Sequence, residues 1–192
     1  NNGTMLINSS LSGYGICNRE GSTITILTNN GIISSSRYGI YNYKNSTIVT
    51  LTNNGLISGS GSSYGYGIYQ YEESTITTLI NNGLISGYSS ASNVGGAGGY
   101  GIYNNISTIV TLTNNGLISS SSVTSGHGIY NKDDTYNDSS IITTLTNNGL
   151  ISGSGSLGYG IYNDVGGTIT TLINNGLISA SGSLSGYGIQ NS

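Results

Sequence analysis

The chain contains no proline, tryptophan or phenylalanine, a single cysteine, a single histidine, and only four basic and seven acidic residues in 192. Each absence removes a class of protein. Cys17 alone cannot form an intrachain disulfide, and it leaves the redox compartment open. Four Lys and Arg residues cannot build the basic stripe that a nucleic-acid partner requires. Low charge would suit a membrane protein, but no apolar run approaches the ~18 residues of a spanning helix, so no membrane span is expected. Disordered chains are usually rich in charge and proline and poor in β-branched residues. Here Ile and Thr are abundant and regularly placed, so a folded, β-rich chain is expected. The first residue is not Met, and there is no basic leader. The chain reads as one repeat domain, residues 1–192, that is a fragment of a longer protein or a processed filament subunit.

What is present is a repeat, the feature to seek first. Asn-Asn-Gly occurs seven times, ending at Gly3, Gly31, Gly55, Gly83, Gly116, Gly149 and Gly176. A second mark, Tyr or His followed by Gly-Ile, has its glycine at Gly15, Gly39, Gly67, Gly101, Gly128, Gly160 and Gly188. The distance from each second mark to the next Asn-Asn-Gly is 16, 16, 16, 15, 21 and 16 residues. The return distance varies from 8 to 18. Each unit therefore holds three short strand-like segments, typified by Thr75 to Leu79, the Gly-Leu-Ile-Ser after the paired asparagines, and Tyr-Gly-Ile-Tyr-Asn. They are rich in strand-favouring residues and lack the length and 3.6-residue period of a helix.

Three strands in 24 to 33 residues fit one coil of an all-β, parallel β-solenoid of about seven coils. Equivalent strands then stack about 4.8 Å apart, giving a rod of roughly 34 Å. Core columns are expected from Ile24, Ile48, Ile76, Ile109, Ile142 and Ile169, from the Leu27 to Leu172 series, from the Ile33 to Ile178 series, and from the Ile16 to Ile189 series. A β-propeller is the alternative, but its blades need ~40 residues.

The repeated polar residues invite functional readings. For Asn-Asn-Gly the expectation is structural: left-handed turn residues and a stacked amide ladder. Tyr41, Tyr69, Tyr103, Tyr130 and Tyr162 all follow Gly-Ile, and strand alternation sets them opposite the buried Ile. They form an expected outer aromatic ladder, either stiffening the rod or presenting a platform to glycans or a partner surface. A second face carries Thr23 and Thr25, Thr47, Thr75 and Thr77, Thr108, Thr143, and Thr168 and Thr170. These flank the inward Ile column and resemble the Thr-x-Thr ranks of solenoid ice-binding proteins, with the adjoining Leu column expected to interrupt the face.

Catalytic signals are weak. The carboxylates Glu20, Glu72, Glu73, Asp133, Asp134, Asp138 and Asp164 all fall in the variable corner after the Gly-Ile mark. Glycosidase chemistry needs two carboxylates facing each other across the bond. The Gly-rich run Gly95 to Tyr100 lacks a phosphate-loop Lys. His127 occupies the slot that Tyr holds in the other six units, and Asp133, Asp134 and Asp138 are a possible hard-cation cluster in a polar bulge. The expectation is therefore a non-enzyme without a cofactor.

Units such as Thr52 to Gln70 resemble the passenger repeats of autotransporters and related bacterial surface adhesins. The resemblance implies a right-handed β-helix displayed outside the cell as a structural stalk or adhesive rod. Neither end shows an obvious polar cap, so end-to-end self-association is expected, with glycans or a host surface as further partners. A polysaccharide-binding or polysaccharide-cleaving β-helix is a further alternative.

Overall fold

A computed structural model describes residues 1–7, 13–91, 98–133 and 139–192. Asp134, Asp138 and the first half of the Gly95 to Tyr100 run lie outside them. The chain is a parallel β-solenoid, with every strand hydrogen-bonded to its equivalent in the next coil. The first segments, Thr23–Asn29, Thr47–Asn53, Thr75–Asn81, Thr108–Asn114, Ser140–Asn147 and Gly167–Asn174, form a six-stranded parallel sheet in chain order. The second and third segments form two further parallel columns. These become continuous where single strands, Leu150–Asn163 and Leu177–Asn191, run through both.

Register follows the apolar columns. Ile48 pairs with Ile76, Ile57 with Ile85, and Ile68 with Ile102. From Ile33 to Ile161, eighteen of these Ile and Leu side chains are fully buried in one axial core. Each contributes roughly 1.5–3 kcal/mol by leaving water. A narrow tube needs few core residues per coil, which is how so polar a sequence folds.

Strict alternation breaks at two places in each coil. In Thr47–Asn53 the buried residues are Ile48, Leu51 and Asn53, so Val49 and Thr50 both face outward between the two apolar ones. The Leu column is thus core, with Leu51, Leu79, Leu112 and Leu145 fully buried. It does not interrupt the Thr face as expected, because the local bend swings Leu inward. In the third segment the bend falls at Gly-Ile. A Cβ on Gly67 would meet Ile85 Cγ2 at 2.6 Å and the Gly101 carbonyl at 2.6 Å, so Gly67 and Ile68 both face the core. The tyrosines on either side, Tyr66 and Tyr69, consequently share the outer face.

Asn-Asn-Gly has a ladder at each asparagine. Asn29, Asn53, Asn81, Asn114 and Asn147 each donate from Nδ2 to Oδ1 of the equivalent Asn one coil on, at 2.8 Å. The outer ladder runs the other way: Asn54 donates to Asn30, and Asn82 to Asn54. A Cβ at Gly55 would lie 2.0 Å from the Gly31 carbonyl, so only glycine lets the turns stack. None of these asparagines adopts the expected left-handed conformation; stacking the coils sets the motif, not a turn φ. Left-handed residues sit instead in the corner before the first segment, at Glu20, Lys44, Asn45, Glu72, Glu73 and Ile106. A third amide ladder, missed in the sequence, links Asn18, Asn42, Gln70, Asn104, Asn131, Asn163 and Asn191 inside the tube.

Candidate functional site

The bend at Gly-Ile gives the outer face two tyrosine columns where alternation predicts one. The expected column, Tyr41 to Tyr162, is joined by Tyr14, Tyr38, Tyr66, Tyr100, Tyr159 and Tyr187, with His127 in the fifth place. The seven-fold recurrence of an aromatic before Gly-Ile was the available signal. Alternation concealed it by assigning that residue to the Ile face.

The two columns interleave. Ring centroids of Tyr38 and Tyr66 lie 5.1 Å apart with planes 8° from parallel, and those of Tyr69 and Tyr103 lie 5.1 Å apart at 18°. Within one coil Tyr66 and Tyr69 stack at 4.8 Å. Ring faces are therefore spent on neighbouring rings, and the ladder turns edges outward. Tyr103 and Tyr130 are only 9% exposed, so the ladder is closely packed. Burial, followed by repulsion from neighbouring phenolates, pushes Tyr41 and Tyr66 well above the ordinary phenol range.

His127 interrupts this order. Its ring is tilted 55° to Tyr100, and stands nearly perpendicular to Tyr130 and Tyr162, at 79° and 88°. Tyr159 and Tyr162 in the next coil are tilted 55° from each other. Burial lowers the His127 pKa to about 4, against the smaller pull of the Gly126 backbone and Asp164. The imidazole is neutral at physiological pH, and its buried Nδ1 has no hydrogen-bond partner among the described residues.

A groove of about 540 Å³ runs along this face from Arg37 to Asp164. At one end the Arg37 guanidinium lies 4.9 Å from the Tyr38 ring centroid and 5.9 Å from that of Tyr64. At the other, the hydroxyls of Tyr130 and Tyr162 donate to Asp164 at 2.8 and 3.1 Å, and Lys132 lies 3.9 Å away. Burial acts to raise the Asp164 pKa, but the donors of Tyr130, Val165 and Tyr162, with Lys132, outweigh it and hold the carboxyl below the usual range.

The structure brings the other sequence-selected residues together less tightly. Thr23, Thr25, Thr168 and Thr170 are exposed and Thr47, Thr75, Thr77, Thr108 and Thr143 half-buried, all pointing out of the first sheet. Further ranks at Thr50, Thr78, Thr111 and Thr144 lie across the bend. Glu20, Glu72 and Glu73 occupy turns. Asp133 is buried and takes a backbone bond from its own amide to Val165. Among the described residues no three His, Cys, Asp or Glu side chains group to hold a metal ion. Among the described residues no helix is long and apolar enough to cross a membrane.

No protein family, curated protein or solved structure matches this chain. Fold and site define a class nonetheless: a parallel β-solenoid bearing an interleaved tyrosine ladder and a polar-ended aromatic groove.

Proposed function

We propose that this chain is a non-enzymatic structural and adhesive rod, displayed outside the cell or on a surface. The observation that carries the reading is the set of three amide ladders running through successive coils in register. Such a lattice extends by simple repetition, because each new coil meets the same donors, acceptors and apolar columns. In the last coil Leu177 and Ile189 are 58% and 48% exposed, where their equivalents one coil earlier are half-buried and fully buried. An apolar face bordered by strand edges of this kind favours pairing with another β-edge. The similarity of the repeats to autotransporter passengers and surface adhesins supports the same reading.

Beads coated with the chain should attach to cell or matrix surfaces, and concentrated samples should show linear particles by electron microscopy. Attachment no better than that of uncoated beads, together with monomers at every concentration in light scattering, would overturn the proposal.

A further inference from the structure

We propose that the groove between Tyr64 and Leu157 is an oligosaccharide-binding site centred on His127. This deepens the adhesive reading and rests on it. Three independent features converge there.

The first is shape. Two residues before the Tyr or His of the third to sixth marks, the register aligns Tyr64, Gly98, Ser125 and Leu157. Large side chains stand at both ends of that row and small ones in its middle, making a saddle. The replacement of tyrosine by the smaller histidine at 127 deepens the same stretch.

The second is an unmet polar atom. His127 is 3% exposed, lines the groove, and keeps Nδ1 without a hydrogen-bond partner among the described residues. A neutral imidazole nitrogen either donates or accepts a hydrogen bond. A hydroxyl group does both, so it satisfies Nδ1 in either tautomer.

The third is ring orientation. Elsewhere in the ladder aromatic faces cover one another. The His127 ring instead stands at 33° to 88° to its four aromatic neighbours, so the regular stacking of that column is broken on the groove wall. Few sites combine aromatic surface, hydroxyl tips and isolated polar groups unless the ligand has apolar faces edged with hydroxyls.

The same geometry argues against other polymers. The strands beneath the groove are paired on both sides, so no free backbone edge is offered to a peptide strand. Arg37 and Lys132 stand apart at the two ends, Lys132 beside Asp164, which does not make the continuous positive track a nucleic acid needs. Arg37 has no carboxylate partner among the described residues and could hold one from a uronic acid; the hydroxyl chemistry is common to neutral and acidic sugars.

The test is titration of the full chain, by calorimetry and by amide chemical shifts, with three probes: a neutral glucose tetrasaccharide, a uronate tetrasaccharide, and the methyl ester of the latter. At least one should bind and shift signals around His127. His127→Tyr restores the uninterrupted column and Ser125→Leu fills the saddle. Each should weaken binding about ten-fold or more with the circular dichroism spectrum unchanged. Thr77→Val, on the other sheet, should leave affinity as it was. A loss confined to the uronate in Arg37→Gln identifies an acidic glycan, and equal binding of ester and neutral sugar identifies a neutral one. Binding by none of the probes, or binding undiminished in both His127→Tyr and Ser125→Leu, overturns the site. Bead attachment surviving in that case leaves the adhesive rod standing; its absence, together with monomers at every concentration, removes the rod reading as well.

Discussion

Asn81 donates from its side-chain amide to Oδ1 of Asn114, 33 residues along the chain and one coil away, at 2.8 Å, and both side chains are fully buried. The same Asn81 amide reaches the Gly83 and Leu117 carbonyls, while its own Oδ1 accepts from Asn53. One side chain thus joins three successive coils inside the tube. Asn81→Ala leaves the Asn114 Oδ1 without its donor in a dry interior and takes from the Asn53 amide one of its three acceptors. It should cost about 2–4 kcal/mol in urea denaturation, whereas Asn82→Ala, on the exposed ladder, should cost under about 1.

Gly67 tests the bend that creates the second tyrosine column. An added methyl would meet Ile85 Cγ2 and the Gly101 carbonyl at 2.6 Å, and the carbonyl belongs to a backbone held on both sides. Gly67→Ala should destabilise by about 3 kcal/mol and reduce the near-ultraviolet dichroism that the stacked phenols produce. An unchanged spectrum and melting temperature would show that the column does not depend on the bend.

Acid should act through His127. The unfolded chain takes up its histidine proton near 6.5, and the native chain only near about 4. Between those values the unfolded state binds more protons. Stability is therefore lost as pH falls from about 6.5 to about 4, by about 3 kcal/mol in total, with no further loss from this group below that. His127→Tyr should abolish this dependence when unfolding free energies at pH 7 and pH 4 are compared.

Alkali should act through the ladder. Burial raises Tyr38, Tyr41, Tyr66 and Tyr130 above the phenol value of 10, so the unfolded chain releases these protons first. Their stabilisation is complete below about pH 10 and declines as pH rises beyond it. Phenolate absorbance from these rings should grow together with the loss of β-sheet dichroism, rather than before it.

Glu73 sits exposed at φ 56°, in the turn where Asn45 serves one coil earlier at φ 57°. Asparagine tolerates the left-handed region better than glutamate. Glu73→Asn should stabilise by about 0.5 kcal/mol, measured by thermal unfolding.

The sequence by itself determined the repeat, the three segments per coil and the four apolar columns. Identical residues recurring at fixed spacing can only be satisfied together by stacking like on like. The first amide ladder followed from the same logic. What alternation could not deliver were the two bends in each coil, because a period of two assumes a straight strand. Only the packed tube, closing around a core too narrow for a side chain at Gly67, turned Leu51 inward and set Tyr66 beside Tyr69. The groove around His127 was decided at that level too. Its saddle comes from residues two positions before each mark, whose sizes acquire meaning only once neighbouring coils bring Tyr64, Gly98, Ser125 and Leu157 into one row.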